Sequence, residues 1–235
     1  DIGYTDKQII EYSKYYNYIK GVNIDSRFNI NKYKNVITNV DVENIDLTLN
    51  NNYKRINNKF DYIFSINTME HISNIDCILD AMKYLINDDG YIYLDWFDIW
   101  SGSEGHHIHN DMIRWWEDIL DVPNNQRIYD RELKDIPDWS HLLWNKDEMY
   151  NHLNKKIKHE PLLNKIIKFI YVDDDINRIY YSDIKKLIYE KFKIIRIIER
   201  KENIPNHILT KLNEKYPSKS FGIYGANYIL QNKKL

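Results

Sequence analysis

Residues 101–111 read SGSEGHHIHND, the densest run of chemically capable side chains in the sequence. Glu104, His106, His107, His109 and Asp111 fall within this single stretch. Imidazole titrates near neutrality, so a histidine held against a substrate can take up a proton at physiological pH. Such a base contributes roughly 10²–10⁴-fold to a rate. The same residue types also bind metals. His-x-His beside carboxylates suits Mn, Fe or Zn, and the ligand set would be Glu104, His107, His109 and Asp111. The spacing matches neither the H-E-x-x-H pattern nor a cysteine-based zinc pattern. A plainer use of the string is a loop in which one histidine bonds backbone while the others face solvent. A second patch, IPDWSHLLW over 136–144, sets His141 between Trp139 and Trp144. Flat indole faces cover the C–H surfaces of sugar rings while His and Asp take the hydroxyls. Trp100 and Trp139 are the candidate walls of such a pocket, whereas Trp115 and Trp116 read as packing.

All six tryptophans lie between Trp96 and Trp144, and His106, His107, His109 and His141 share that stretch. The 235 residues suffice for one large domain, or one domain with an elaborated insert. Hydrophobic residues at 43% and charged residues at 29% exclude a disordered or fibrous chain. A net charge of −2, from 33 basic against 35 acidic side chains, argues against nucleic acid as the partner. No apolar run approaches the roughly 18–20 residues needed to cross a bilayer, and no signal-peptide pattern opens the sequence, so no membrane partner is expected. Cys77 is the sole cysteine. It has no partner for an internal disulfide, and a reducing cytoplasm is the expected compartment.

The elements around the histidine string alternate. Residues 6–18 predict a helix, the apolar runs 19–24 and 35–40 predict strands, and FDYIFSI over 60–66 predicts another strand. Ile75, Ile78, Leu79, Met82 and Ile86 recur at helical spacing, so a helix is expected over 74–86. Asp88-Asp89-Gly90 reads as a turn before a strand over 91–97. Between 98 and 172 the alternation breaks, leaving helices at 110–120 and 146–158 among Trp- and His-bearing loops. A Lys-rich stretch over 155–168 reads as a solvated amphipathic helix face. A helix near 179–190, a strand over 192–199, a short helix near 206–215 and a strand over 220–231 complete the chain. Strands alternating with helices argue for a doubly wound, mostly parallel sheet. The expected organisation is 1–97 as a Rossmann-like half, 98–172 as an inserted Trp/His-rich lid, and 173–235 as the last helix and strands of the same sheet.

In order and in motif the chain resembles the class I S-adenosylmethionine-dependent methyltransferases. FDYIFSINTMEHI (60–72) and LINDDGYIYL (85–94) look like that family's fourth and fifth strands with the helix between them. KGVNID (20–25) resembles the end of the second strand, VITNVDVENIDL (36–47) the third strand with its turn, and Asp1-Ile2-Gly3 the end of the first strand and its glycine loop. The resemblance implies an α/β Rossmann-like methyltransferase fold with an antiparallel last strand and a helical insert after strand 5. It also implies that the sequence starts inside its first structural element. Three substitutions depart from the pattern: Tyr4 and Thr5 stand where small residues are common, and Asn23 replaces the usual ribose-binding carboxylate, with Asp25 a nearby substitute.

What the resemblance implies for the site follows residue by residue. Asp1 and Gly3 would approach the methionine moiety of S-adenosylmethionine, Asn23 or Asp25 the ribose, and Asp41 and Val42 the adenine. Asn67, Thr68 and His71 would line the pocket after the fourth strand. His106 or His107 would serve as base with the other orienting the substrate, and His141 would also serve catalysis. Trp100, Glu104, His109, Trp139 and Arg178 would meet the acceptor. The implied reaction is O-methylation of a small polar acceptor, a sugar or nucleotide-linked sugar hydroxyl or a phosphate-type group, resembling enzymes of surface-polysaccharide clusters. A divalent metal is an additional cofactor option. A non-catalytic binding subunit and a metal-dependent enzyme centred on 104–111 stand as alternatives.

Overall fold

A computed structural model describes residues 2–3, 6–23, 39–49, 51–128 and 136–233. The chain divides into two compact units. One comprises residues 1–97, 185–199 and 226–235; the other comprises 98–184 and 200–225.

The first unit is organised around a parallel sheet. Helix α1 (Asp6–Tyr12) is followed by strands β1 (Ile19–Asn23), β2 (Val40–Asn44) and β3 (Phe60–Ile66), helix α2 (Ile75–Leu85) and strand β4 (Ile86–Phe97). β1 pairs in parallel with β2 from Ile19↔Val40 to Asn23↔Asn44. β3 pairs in parallel with β4 from Tyr62↔Tyr91 to Ile66↔Asp95. Ile2 joins the two pairs through parallel bridges to Val22 and Ser65. Its N–H donates to Phe64 O at 2.8 Å, and the Gly3 N–H donates to Val22 O at 2.9 Å. Late in the chain, α7 (Tyr181–Lys191) leads into β5 (Phe192–Lys201), and β6 (Ile223–Asn232) closes the order β3-β4-β6-β5. The strands therefore read β2-β1-Ile2-β3-β4-β6-β5. The earliest residues lie centrally, and the chain winds outward on either side of them, which makes Ile2 the topological switch point of an open α/β sheet.

Alternation explains the strands. Ile92, Leu94 and Trp96 of β4 are buried on one face, with Ile63 and Ser65 on β3. On β3, Tyr62 and Phe64 point the other way and meet Tyr16 and Tyr12 of the α1 region at 5.7–6.1 Å between ring centroids. Helix α2 buries Ile75, Ile78, Leu79, Ala81, Met82 and Leu85, the amphipathic spacing of its sequence. Asn74 caps it by accepting from the Cys77 N–H at 3.2 Å. Lys191, ending α7, pairs with Asp76 at 2.9 Å and with Asp80 on α2. One sequence expectation needs correction. Asp88-Asp89-Gly90 is an irregularity inside β4: the pairing jumps from Phe60↔Ile86 to Tyr62↔Tyr91, so the extra residues bulge out of the ladder and the strand resumes.

The second unit has its own core. Helices α3 (Asn110–Ile119), α4 (Ser140–Leu143), α5 (Lys146–Leu153), α6 (Glu160–Tyr171) and α8 (Asn206–Lys215) bury Trp100, Ile113, Trp116, Trp139, Leu142, Met149, Leu163, Ile167 and Leu212 together. The helix expected over 146–158 ends at Leu153. It opens on a capping box made by Asn145 and Glu148. A separate helix starts at Glu160, with Pro161 in its first turn, where the missing N–H costs nothing. Among the described residues, no helix is long and apolar enough to cross a membrane.

Candidate functional site

At the carboxyl ends of the first unit's strands, the chain turns sharply twice. Gly3 follows the switch point with φ 74°. A Cβ there would lie 2.2 Å from Thr68 Oγ1 and Cγ2, so only glycine lets the backbone lie this close to the segment after β3. Asn67 leaves β3 at φ 48°, exposed, its N–H bonded to Asp95 O at 3.0 Å. Thr68 Oγ1 donates to Ile66 O at 3.0 Å, and His71 is exposed at the end of the short turn Met69–His71. Gly3, Asn67, Thr68 and His71 thus follow strand carboxyl ends. Asn23 is the last residue of β1, but its side chain and that of Val42, together with Asp1 and Asp25, lie outside the described residues.

Asp41 requires a correction. The strand extends through Asn44, which puts Asp41 and Val42 inside it rather than in the turn after it. Asp41 and Glu43 share one face and both pair with Lys20 Nζ, at 2.7 and 2.8 Å. The carboxylate that follows β2 is Asp46. Its Oδ1 accepts from the Thr48 N–H at 2.8 Å and from Thr48 Oγ1 at 2.5 Å. The Asp-x-Thr spacing is a sequence signal for such a turn. A cavity of about 360 Å³ lies beside β1 and β3, lined by Ile2, Tyr12, Tyr16, Lys20, Val22 and Tyr62 among others.

In the second unit, residues 98–109 fold into a tight loop. Gly105 is obligatory, since a Cβ would fall 2.5 Å from Trp100 O. Asp98 and His107 hold φ of 50° and 57°, conformations that side chains disfavour and that cluster at functional sites. The four histidines divide by burial. His106 is buried; its Nδ1 accepts from the Ile108 N–H at 3.0 Å, so Nε2 carries its proton. Burial first, then repulsion from His141, His109 and His107, holds its pKa well below the ordinary value. His107 is buried and donates through Nε2 to Asp98 O at 2.6 Å. His141 donates through Nε2 to Trp100 O at 2.9 Å, and burial lowers its pKa to about 4. Its Nδ1 is buried without a hydrogen-bond partner. His109 differs. Its side chain is 45% exposed, its Nε2 meets Asp98 Oδ2 at 2.8 Å, and that hydrogen bond raises its pKa.

Several sequence expectations change here. Trp100 and Trp139 are 7% and 2% exposed and belong to the core, so neither offers an open face to a sugar ring. Trp100 packs edge-on against His141 at 4.6 Å. The indole left open is Trp115. Arg178 donates to Ile170 O, Phe169 O and Asp173 O at 2.9, 3.1 and 2.8 Å. It closes the carboxyl end of α6 rather than waiting for an anion. Glu104 and Asp111 are exposed, and neither joins the close ligand group. That group is Asp98, His107 and His109, whose ligand atoms lie within 4.8 Å of one another. Asp98 was missed because the sequence offered no reason to count the residue just past β4 with a histidine eleven positions on.

The buried neutral His141 has a stability consequence. Its imidazole takes a proton near pH 6.5 when unfolded but only near pH 4 when folded. Above pH 6.5 neither state holds the proton and nothing is lost. As pH falls from 6.5 toward 4, only the unfolded state binds it, and the native state loses up to about 3 kcal/mol. Urea unfolding at pH 7.5 and 4.5 should show the natural chain losing about 2 kcal/mol more than His141→Gln. Equal losses would refute the assignment.

No family model matches the chain, and no curated protein matches it. Solved structures do. PKMT2 from Rickettsia typhi in complex with AdoHcy superposes with a TM-score of 0.50 at 17% identity, over 100% of this chain and 48% of that one. A second structure of PKMT2 gives 0.50, 16%, 100% and 48%. A TehB-like SAM-dependent methyltransferase from Corynebacterium glutamicum gives 0.48, 11%, 99% and 78%. The chain spans about half the length of PKMT2. Switch point, strand order and superposition agree: the chain has the Rossmann-like α/β fold of the class I methyltransferases, with a mixed, mostly parallel sheet.

Proposed function

We propose that the protein transfers a methyl group from S-adenosylmethionine to an oxygen of a small polar acceptor in the cytoplasm. The observation that carries this reading is the switch point. Ile2 lies between β1 and β3 and is followed at once by Cβ-free Gly3, packed against Thr68. In open α/β sheets, ligands bind beyond the carboxyl ends at this place, and the residues present suit such a cofactor. Gly3 offers bare backbone. Asp46 supplies a carboxylate after β2, taking the part that Asp41 was expected to play. Asn67, Thr68 and His71 supply polar side chains after β3, and Asn23 or Asp25 is assigned to the ribose. When bound, the cofactor supplies an electrophilic methyl on a sulfonium.

The chain must then hold the acceptor oxygen and relieve it of its proton. Three of the four histidines are buried and tied to backbone, so they orient the loop. His109 reaches the surface and Asp98 fixes its ring, and we assign acceptor activation to this pair. A sugar or nucleotide-linked sugar hydroxyl is the acceptor favoured here, a phosphate-type group of a polysaccharide precursor the second. The near-neutral net charge fits an uncharged or small acceptor better than nucleic acid. Calorimetric titration with S-adenosylhomocysteine tests the reading. One-to-one binding with micromolar Kd is expected, followed by methyl incorporation in a screen of nucleotide sugars. Absence of heat at millimolar ligand would refute it and favour a non-catalytic binding subunit.

A further inference from the structure

We infer that Asp98, His107 and His109 form a binding site for one divalent first-row cation of the zinc or manganese class. Two imidazoles and a carboxylate are a donor set suited to these ions. The ligand atoms lie within 4.8 Å of one another, and an ion about 2.0–2.2 Å from each donor needs them roughly 3–4.4 Å apart. Asp98 Oδ2 and His109 Nε2 stand at 2.8 Å, just under that range. The three side chains therefore converge on one place in the loop.

His107 carries the second observation. A metal-bound histidine almost always donates its other ring N–H to a carbonyl or carboxylate, which fixes the tautomer. His107 does this toward Asp98 O at 2.6 Å. Asp98 is thus both ligand and support, through its carboxylate and its carbonyl. The positive φ of Asp98 and of His107 turns both residues into this arrangement. His106 is not a further ligand, since its Nδ1 lone pair already accepts from Ile108. Glu104 and Asp111 remain outside the group.

The site stands independently of methyl transfer. The full chain, stripped with chelator and exchanged into chelator-free buffer, is titrated calorimetrically with Zn²⁺ and separately with Mn²⁺. One equivalent of at least one ion should bind with micromolar Kd. Asp98→Asn, whose side chain tolerates the left-handed backbone, and His109→Ala at the surface should each weaken it at least about 30-fold. His207→Ala, an exposed histidine on α8, should leave it unchanged. No binding at millimolar ion, or equal binding in all variants, overturns the inference. S-adenosylhomocysteine titrated into the same stripped protein keeps the two failures apart: its binding without zinc or manganese binding removes the cation site alone.

Discussion

His109→Ala should lower turnover at least about a hundredfold while leaving the affinity for S-adenosylhomocysteine within about twofold. The expectation rests on accessibility. His106, His107 and His141 are 4%, 5% and 3% exposed, whereas the His109 side chain is 45% exposed. An alcohol is a poor nucleophile until its proton is leaving, and a group that activates it must reach it. Asp98 orients the His109 ring through a charge-assisted hydrogen bond. Asp98→Asn keeps an acceptor oxygen there but loses the charge, so it should fall between the natural chain and His109→Ala. The loss appears in kcat rather than in cofactor affinity. Full turnover by His109→Ala, on the acceptor that the screen returns, would disprove the assignment.

Gly3→Ala should weaken S-adenosylhomocysteine binding at least about 30-fold and destabilise the fold by about 2 kcal/mol. Two costs combine. The φ of 74° is one that L residues rarely adopt, at about 1–2 kcal/mol. A Cβ would also meet Thr68 Cγ2, Oγ1 and Cβ at 2.2, 2.2 and 2.7 Å. Thr68→Ala removes two of those three atoms, so Gly3→Ala/Thr68→Ala should recover part of the stability while the backbone cost stays. Equilibrium unfolding and calorimetry on the same variants separate the effects. An unchanged Kd in Gly3→Ala would show that the switch point does not face the cofactor.

Much of the frame was legible in the residues themselves. FDYIFSI alternates and forms β3 over the expected residues, and the apolar spacing from Ile75 to Met82 forms α2. The short helix near 206–215 also lies where the sequence puts it. These elements are decided locally, by side-chain period and by capping groups within a few positions. Longer-range facts were not legible. The sequence reads Asp88-Asp89-Gly90 as a turn because its composition is a turn's, yet β3 pairs on both sides of it and turns it into a bulge.

The site divides the same way. Composition alone directs attention to the Trp- and His-rich middle of the chain, because few residue types do proton transfer or metal binding and they are concentrated there. Which histidine is presented, which indole is open and what Arg178 binds were decided by tertiary packing. The sequence reads Trp100 and Trp139 as pocket walls and Trp115 as packing, but of the three only Trp115 escapes the second unit's core. Asp98 joins His107 and His109 across nine and eleven positions because two left-handed residues fold the loop back on itself. Burial and proximity are properties of the folded chain as a whole, and they set which imidazole stays neutral, which is paired and which meets the solvent.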